Sequence, residues 1–125
     1  MVKPKQKGGS FERLIYKDLR QYGECKRTIG SGSSDEPSDI LFKNYAIECK
    51  HLKKVTWKIL TKFWGKLIKQ VKEYNVDIPY KNYEPIIIFR QNREPIMVMC
   101  LMQCSITKNV RAITSYNLWK LVNIK

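Results

Sequence analysis

The stretch PSDILFKNYAIECK, residues 37 to 50, sets Asp39 at the head of one apolar run and places Glu48 and Lys50 in another. Runs of this composition build strands, where a lone carboxylate serves no packing purpose. Two carboxylates brought close in a half-buried site repel each other unless a cation lies between them or one is protonated. As oxygen donors the pair suits hard Mg²⁺, which takes a few carboxylates and completes its shell with water and substrate phosphate. Mn²⁺ is the expected substitute. Lys50 stands two residues beyond Glu48 and therefore on the same face of a strand. Its amine can orient or help deprotonate a water, or offset charge on a scissile phosphate.

Positioning these groups takes two adjacent strands. Ile40, Leu41 and Phe42 form one, Lys43-Asn44 a tight turn, and residues 45 to 50 the next, which together make a hairpin. Alternation puts Tyr45, Ile47 and Cys49 on one face and Ala46, Glu48 and Lys50 on the other. Upstream, GSGSSDEPS at 30 to 38 is a loop of turn residues, and 25 to 29 reads as a preceding strand. A first helix is expected from an N-cap at Ser10 to about Gln21, with Phe11, Leu14, Ile15, Asp18 and Leu19 on one stripe, Gly23 as its stop and Glu12 near its N-terminus. Residues 1 to 9, MVKPKQKGG, carry Lys3, Lys5 and Lys7 without apolar periodicity, so a flexible basic arm is expected before one domain spanning 10 to 125.

The clearest helix is predicted over 56 to 75, where Trp57, Leu60, Trp64, Leu67, Val71 and Tyr74 recur at three- and four-residue steps as a core stripe. Lys58, Lys62, Lys66, Lys69 and Lys72 fall on nearly the opposite side, and only Glu73 is there to neutralise them. A solvated face is the plain reading of such a row; phosphate contact is preferred. Phe63 and Ile59 lie off the core stripe and suit packing or a subunit contact. Residues 85 to 89 and 96 to 102 read as strands covered on both faces, joined by a turn at 91 to 94. The tail at 113 to 122 fits a closing helix or an edge strand equally well.

Lys and Arg number 24 against 11 Asp and Glu, a net charge of +13 that attracts a polyanion. Nucleic acid is the leading partner and an anionic membrane the rival. No apolar run reaches the roughly 18 residues of a membrane span and the N-terminus lacks a signal-peptide core, so an intracellular soluble protein is expected. Cys25, Cys49, Cys100 and Cys104 include no Cys-x-x-Cys pair, and reduced thiols are favoured over disulfides or a metal site. His51, the single histidine, reads as a surface residue.

Pro37-Ser38-Asp39 followed by Glu48-Cys49-Lys50 resembles the motif of PD-(D/E)xK nucleases. Phe11-Glu12-Arg13, then Gly30-Ser31-Gly32, is similar to the archaeal Holliday-junction resolvases of that superfamily, over roughly residues 8 to 102. The chain departs from the motif in the serine between Pro37 and Asp39 and in the extra acids Asp35 and Glu36. The resemblance implies an α/β, restriction-endonuclease-like fold: a mixed central sheet flanked by helices in the order αβββαββ. It also implies that Asp39 and Glu48 ligate Mg²⁺, that Glu12 completes the metal site directly or through water, and that Lys50 assists the attacking water. Ser31, with Ser33 close behind, would contact substrate phosphate, and Gln70 would stand on the helix beside the active site.

The expected activity is therefore metal-dependent endonucleolytic resolution of four-way DNA junctions by a homodimer, since two-fold symmetry matches two equivalent strands. Lys3, Lys5, Lys7, Arg27, Lys53, Lys54, Lys62, Lys66 and Lys69 would bind backbone. Another PD-(D/E)xK endo- or exonuclease is one alternative. A non-catalytic nucleic-acid-binding protein is the other, disfavoured because a pure binder gains little from carboxylates near phosphate.

Overall fold

The computed structural model describes residues 4–28, 39–79, 81–102 and 110–124. Nine elements follow in order: α1 (Pro4–Leu19), β1 (Cys25–Arg27), β2 (Ile40–Phe42), β3 (Tyr45–Leu52), α2 (Trp57–Asp77), β4 (Glu84–Gln91), β5 (Met97–Met102), β6 (Val110–Ser115) and α3 (Tyr116–Asn123). The strands form one sheet in the order β1-β2-β3-β4-β5-β6. All neighbours are antiparallel except β3 and β4. That parallel pair demands a crossover, and α2 supplies it. The mixed sheet flanked by helices matches the expected fold class. The tail adds both of its alternatives in turn, an edge strand β6 and then the closing helix α3.

Each face of the sheet has its own core. On one, Leu60, Trp64, Leu67 and Val71 of α2 pack against Leu41, Ala46, Ile87, Phe89 and Met99. On the other, Phe11, Ile15 and Leu19 of α1, with Tyr116 and Trp119 of α3, cover Ile40, Phe42, Ile47, Ile86, Ile88 and Val98. Strands buried on both faces read as unbroken apolar runs, which is why residues 86 to 89 contain no polar side chain.

Local chemistry anchors α2. Thr56 caps it, its hydroxyl accepting from the Ile59 N–H at 3.2 Å. The Val55 N–H donates to Gln91 Oε1 at 2.8 Å and the Asn92 N–H to the Leu52 carbonyl at 3.1 Å, tying the helix entry to the end of β4. At the far end Asn75 accepts from the Tyr83 N–H at 2.7 Å and donates to the Tyr83 carbonyl at 2.9 Å, which fixes the return into β4.

Several expectations are corrected. Helix α1 starts at Pro4, so residues 4 to 9 extend it and Ser10 lies inside it; there Ser10 Oγ accepts from Arg13 at 3.4 Å. Proline suits a first turn, where N–H groups lack intrahelical partners, and the packed stretch from Phe11 to Leu19 sustains the helix despite Gly8 and Gly9. Leu14 (49 % exposed) and Trp57 (54 % exposed), expected in the core, stay in contact with solvent. His51 is half-buried, its ring centroid 5.6 Å from that of Phe11. Among the described residues Cys25, Cys49 and Cys100 are free thiols; Cys104 lies outside them.

Candidate active site

Strands β2 and β3 pair in the register Ile40↔Ile47, so the next step of the ladder sets Asp39 opposite Glu48. The Asp39 N–H donates to the Ile47 carbonyl, and the Thr28 N–H donates to the Asp39 carbonyl, both at 2.9 Å. The backbone of Asp39 is thus held by strands on either side. Since β2 begins at Ile40, the Cys49 amide has no ladder partner there, and Asp39 Oδ2 accepts from it at 2.9 Å. One carboxylate oxygen closes the ladder while the group as a whole faces Glu48.

Glu48 is largely buried, and burial is the main reason its carboxyl is pushed up to about 7; the negative charge of Asp39 and a hydrogen bond with it add to the rise, while the Lys50 amine opposes it. Two carboxyl groups so close must share a proton or a cation. Lys50 Nζ lies 3.4 Å from Glu48 Oε1 and 4.4 Å from the centroid of the Phe63 ring, over its face. A carboxylate and an aromatic face therefore aim the amine together. Phe63 has a role here that its place off the core stripe signalled only faintly: its ring meets the Lys50 amine of β3.

Glu12 comes from α1 at the edge of this group. Burial and then the charge of Asp39 raise its pKa, while Arg27 lowers it through an ion pair at 3.3 Å. Arg27 Nε is buried and has no hydrogen-bond partner among the described residues. Among these residues no group of three or more His, Cys, Asp or Glu side chains is placed to hold a metal ion directly; Glu12 stands with Arg27, within reach of the charge of Asp39. Asp39 and Glu48 nonetheless fit a divalent cation as a pair. The closeness of the two carboxyl groups marks the place where positive charge is needed, and the remaining ligand positions suit water and phosphate.

The other expected residues scatter. Ser31, Ser33 and Lys3 lie outside the described residues. Lys5 and Lys7 fall in the first turns of α1. Lys53 and Lys54 are exposed between β3 and α2, and Lys62, Lys66 and Lys69 are exposed along α2. Gln70 is exposed two turns beyond Phe63 on the same side of the helix, and its side chain makes no hydrogen bond among the described residues, so it is not joined to the carboxyl pair. Arg27 is engaged by Glu12 rather than free, a pairing with no local sequence signal.

A family described as phage putative PDDEXK endonuclease matches residues 3–124. No curated protein matches the chain. Among solved structures, that of Archaeoglobus fulgidus Hjc, a Holliday junction resolvase from an archaeal hyperthermophile, is similar with a TM-score of 0.51 and 20 % identity, over 92 % of this chain and 88 % of that one. At that identity the likeness speaks for the fold.

Proposed function

Because the chain belongs to the phage putative PDDEXK endonuclease family, we propose that it is a Mg²⁺-dependent endonuclease that resolves four-way DNA junctions by phosphodiester hydrolysis. The observation that carries the reading is the Asp39–Glu48 pair set opposite each other across β2 and β3, with Lys50 one strand period further on. Asp39 and Glu48 would hold the cation, which when bound polarises the phosphate and lowers the pKa of water. Lys50 Nζ, aimed by Glu48 and Phe63, orients the attacking water and offsets charge building on the phosphate oxygens. Water oxygen bonds to phosphorus as one ester P–O bond breaks; the proton shed by water passes to solvent, and the departing ester oxygen takes one up from solvent.

The exposed lysines of α2 fit backbone contact beside this site. The active unit is a homodimer acting inside the cell; no described helix is long and apolar enough to cross a membrane. Its contact surface is better sought on α3 than at Ile59 and Phe63, which are half-buried. Leu118, Leu121 and Val122, spaced three and four apart, are 51, 61 and 72 % exposed and form one apolar stripe.

The test is nicking of a labelled four-way junction and of a linear duplex of the same sequence, in Mg²⁺ and in chelator. Asp39→Asn and Glu48→Gln are each expected to abolish cutting while junction affinity stays equal or rises, because a negative charge near phosphate is removed. Wild-type turnover in either variant would overturn the assignment.

A further inference from the structure

The first turn of α2 carries a feature that the nuclease reading leaves unused. Trp57 is 54 % exposed, although tryptophan is a residue that folding normally covers. It hangs from the side of α2 that looks toward β6, where the guanidinium of Arg111 lies over its ring, 5.0 Å from the centroid. A planar cation therefore lies over the indole while more than half of the residue's surface stays exposed. Lys53 and Lys54, four and three residues before it, and Lys58, the next residue, are exposed. From Trp57 to Lys72 the helix contains no acidic residue. Trp57 stands about 9 Å along the axis from Phe63, and so from Lys50, on a different side of the same helix.

We infer that Trp57, backed by Arg111, is a stacking platform for a nucleobase unpaired at the branch point of the DNA, with Lys53, Lys54 and Lys58 holding the adjoining phosphates. This rests on the nuclease reading and names the structural feature of the substrate that the protein engages. An aromatic face set among cations is the general means of binding an unstacked base. A second copy of the chain is the less suitable occupant. A two-fold contact through this face would bring the same three lysines and Arg111 of both copies together, and like charges repel. Ile113, 41 % exposed two residues along β6 from Arg111, adds apolar surface on which a flat base can rest.

The test measures binding in chelator, where no cutting occurs, to three DNAs: a four-way junction, the same junction made abasic at the nucleotides flanking the branch point, and a linear duplex. Wild-type protein should prefer the intact junction over the abasic one by about 5- to 100-fold, the span that base stacking on an aromatic side chain supports. Trp57→Leu should erase that preference and leave duplex affinity and melting temperature unchanged, and Trp57→Phe should restore most of it. A Trp57→Leu protein that keeps the preference, or that weakens equally on all three DNAs, overturns the proposal. Equal weakening together with a smaller species in sedimentation would mark the face as a contact between copies. Failure of the nuclease reading is separately visible: base preference intact in chelator with no cutting in Mg²⁺ would sink that reading and leave this one standing.

Discussion

Glu48 titrates near neutrality because the fold buries it beside Asp39, and this gives metal-free protein a definite pH dependence. Its carboxyl is raised from an ordinary 4.5 to about 7. Between those values the unfolded chain has released the proton and the folded chain retains it, so stability falls as pH rises through this window and levels off above it. The loss amounts to ~3 kcal/mol at most, since each tenfold change in proton affinity is worth about 1.4 kcal/mol. Thermal melts in chelator at pH 5 and pH 8 should therefore show the wild type losing stability relative to Glu48→Gln at the higher pH. Added Mg²⁺ should reverse that loss at pH 8 in the wild type and not in the variant. Parallel pH profiles for the two proteins would mean that Glu48 is not held protonated by its neighbours.

At the scale of elements, α2 is both wall and handle. Its buried stripe presses on β3, β4 and β5 while Lys58, Lys62, Lys66, Lys69 and Lys72 face outward, all exposed. Charges that meet DNA phosphates release counterions, and the salt dependence counts them: log K falls against log salt by roughly 0.9 per phosphate neutralised on duplex DNA. Replacing Lys62, Lys66 and Lys69 together with Gln should flatten the slope by up to about 3 and weaken junction and duplex binding alike. An unchanged slope would move the backbone-binding surface off this helix. Trp57 should behave oppositely, altering base preference without altering the slope, so the two ends of the helix's function are separable by salt titration.

For the whole molecule, the α2 lysine row and the apolar stripe of α3 lie on different faces of the sheet. The α2 side of the sheet exposes the lysine row Lys58, Lys62, Lys66, Lys69 and Lys72, and α1 on the other side exposes Arg13, Lys17 and Arg20. Leu118, Leu121 and Val122 line the other side, beside a cavity of about 290 Å³ whose walls include Tyr45, Ile86 and Trp119. A dimer joined there would leave both lysine faces free for DNA, and paired cuts need two sites at a fixed separation. Leu121→Glu should convert the dimer to monomers in sedimentation and reduce paired junction cleavage more than duplex binding. A wild-type protein that sediments as a strict monomer at micromolar concentration, with and without junction, would refute the dimer.

Local rules made much of this readable in advance. Period-two and period-3.6 patterns and the turn at Lys43-Asn44 act over a few residues, so the β2–β3 hairpin, α2 and the alignment of Asp39, Glu48 and Lys50 were legible in the sequence; that Thr56 is the cap of α2 and not its first residue was not. Contacts without a local pattern were not. Asp18, counted by periodicity into the apolar stripe of α1, instead accepts from Tyr116 Oη at 2.6 Å and pairs with the buried Lys120 at 2.7 Å, locking α3 onto α1 across about a hundred residues of chain. Glu12 meets Arg27 because α1 and β1 cross at the sheet's edge. Trp57 obeys the helical period yet is exposed, because a period reports the side of a helix and only the packed sheet decides how far along that side the cover extends. Sequence by itself determined which residues could do chemistry and on which strand face they lie; tertiary structure decided their partners, since burial and charge pairing are set by elements distant in the chain.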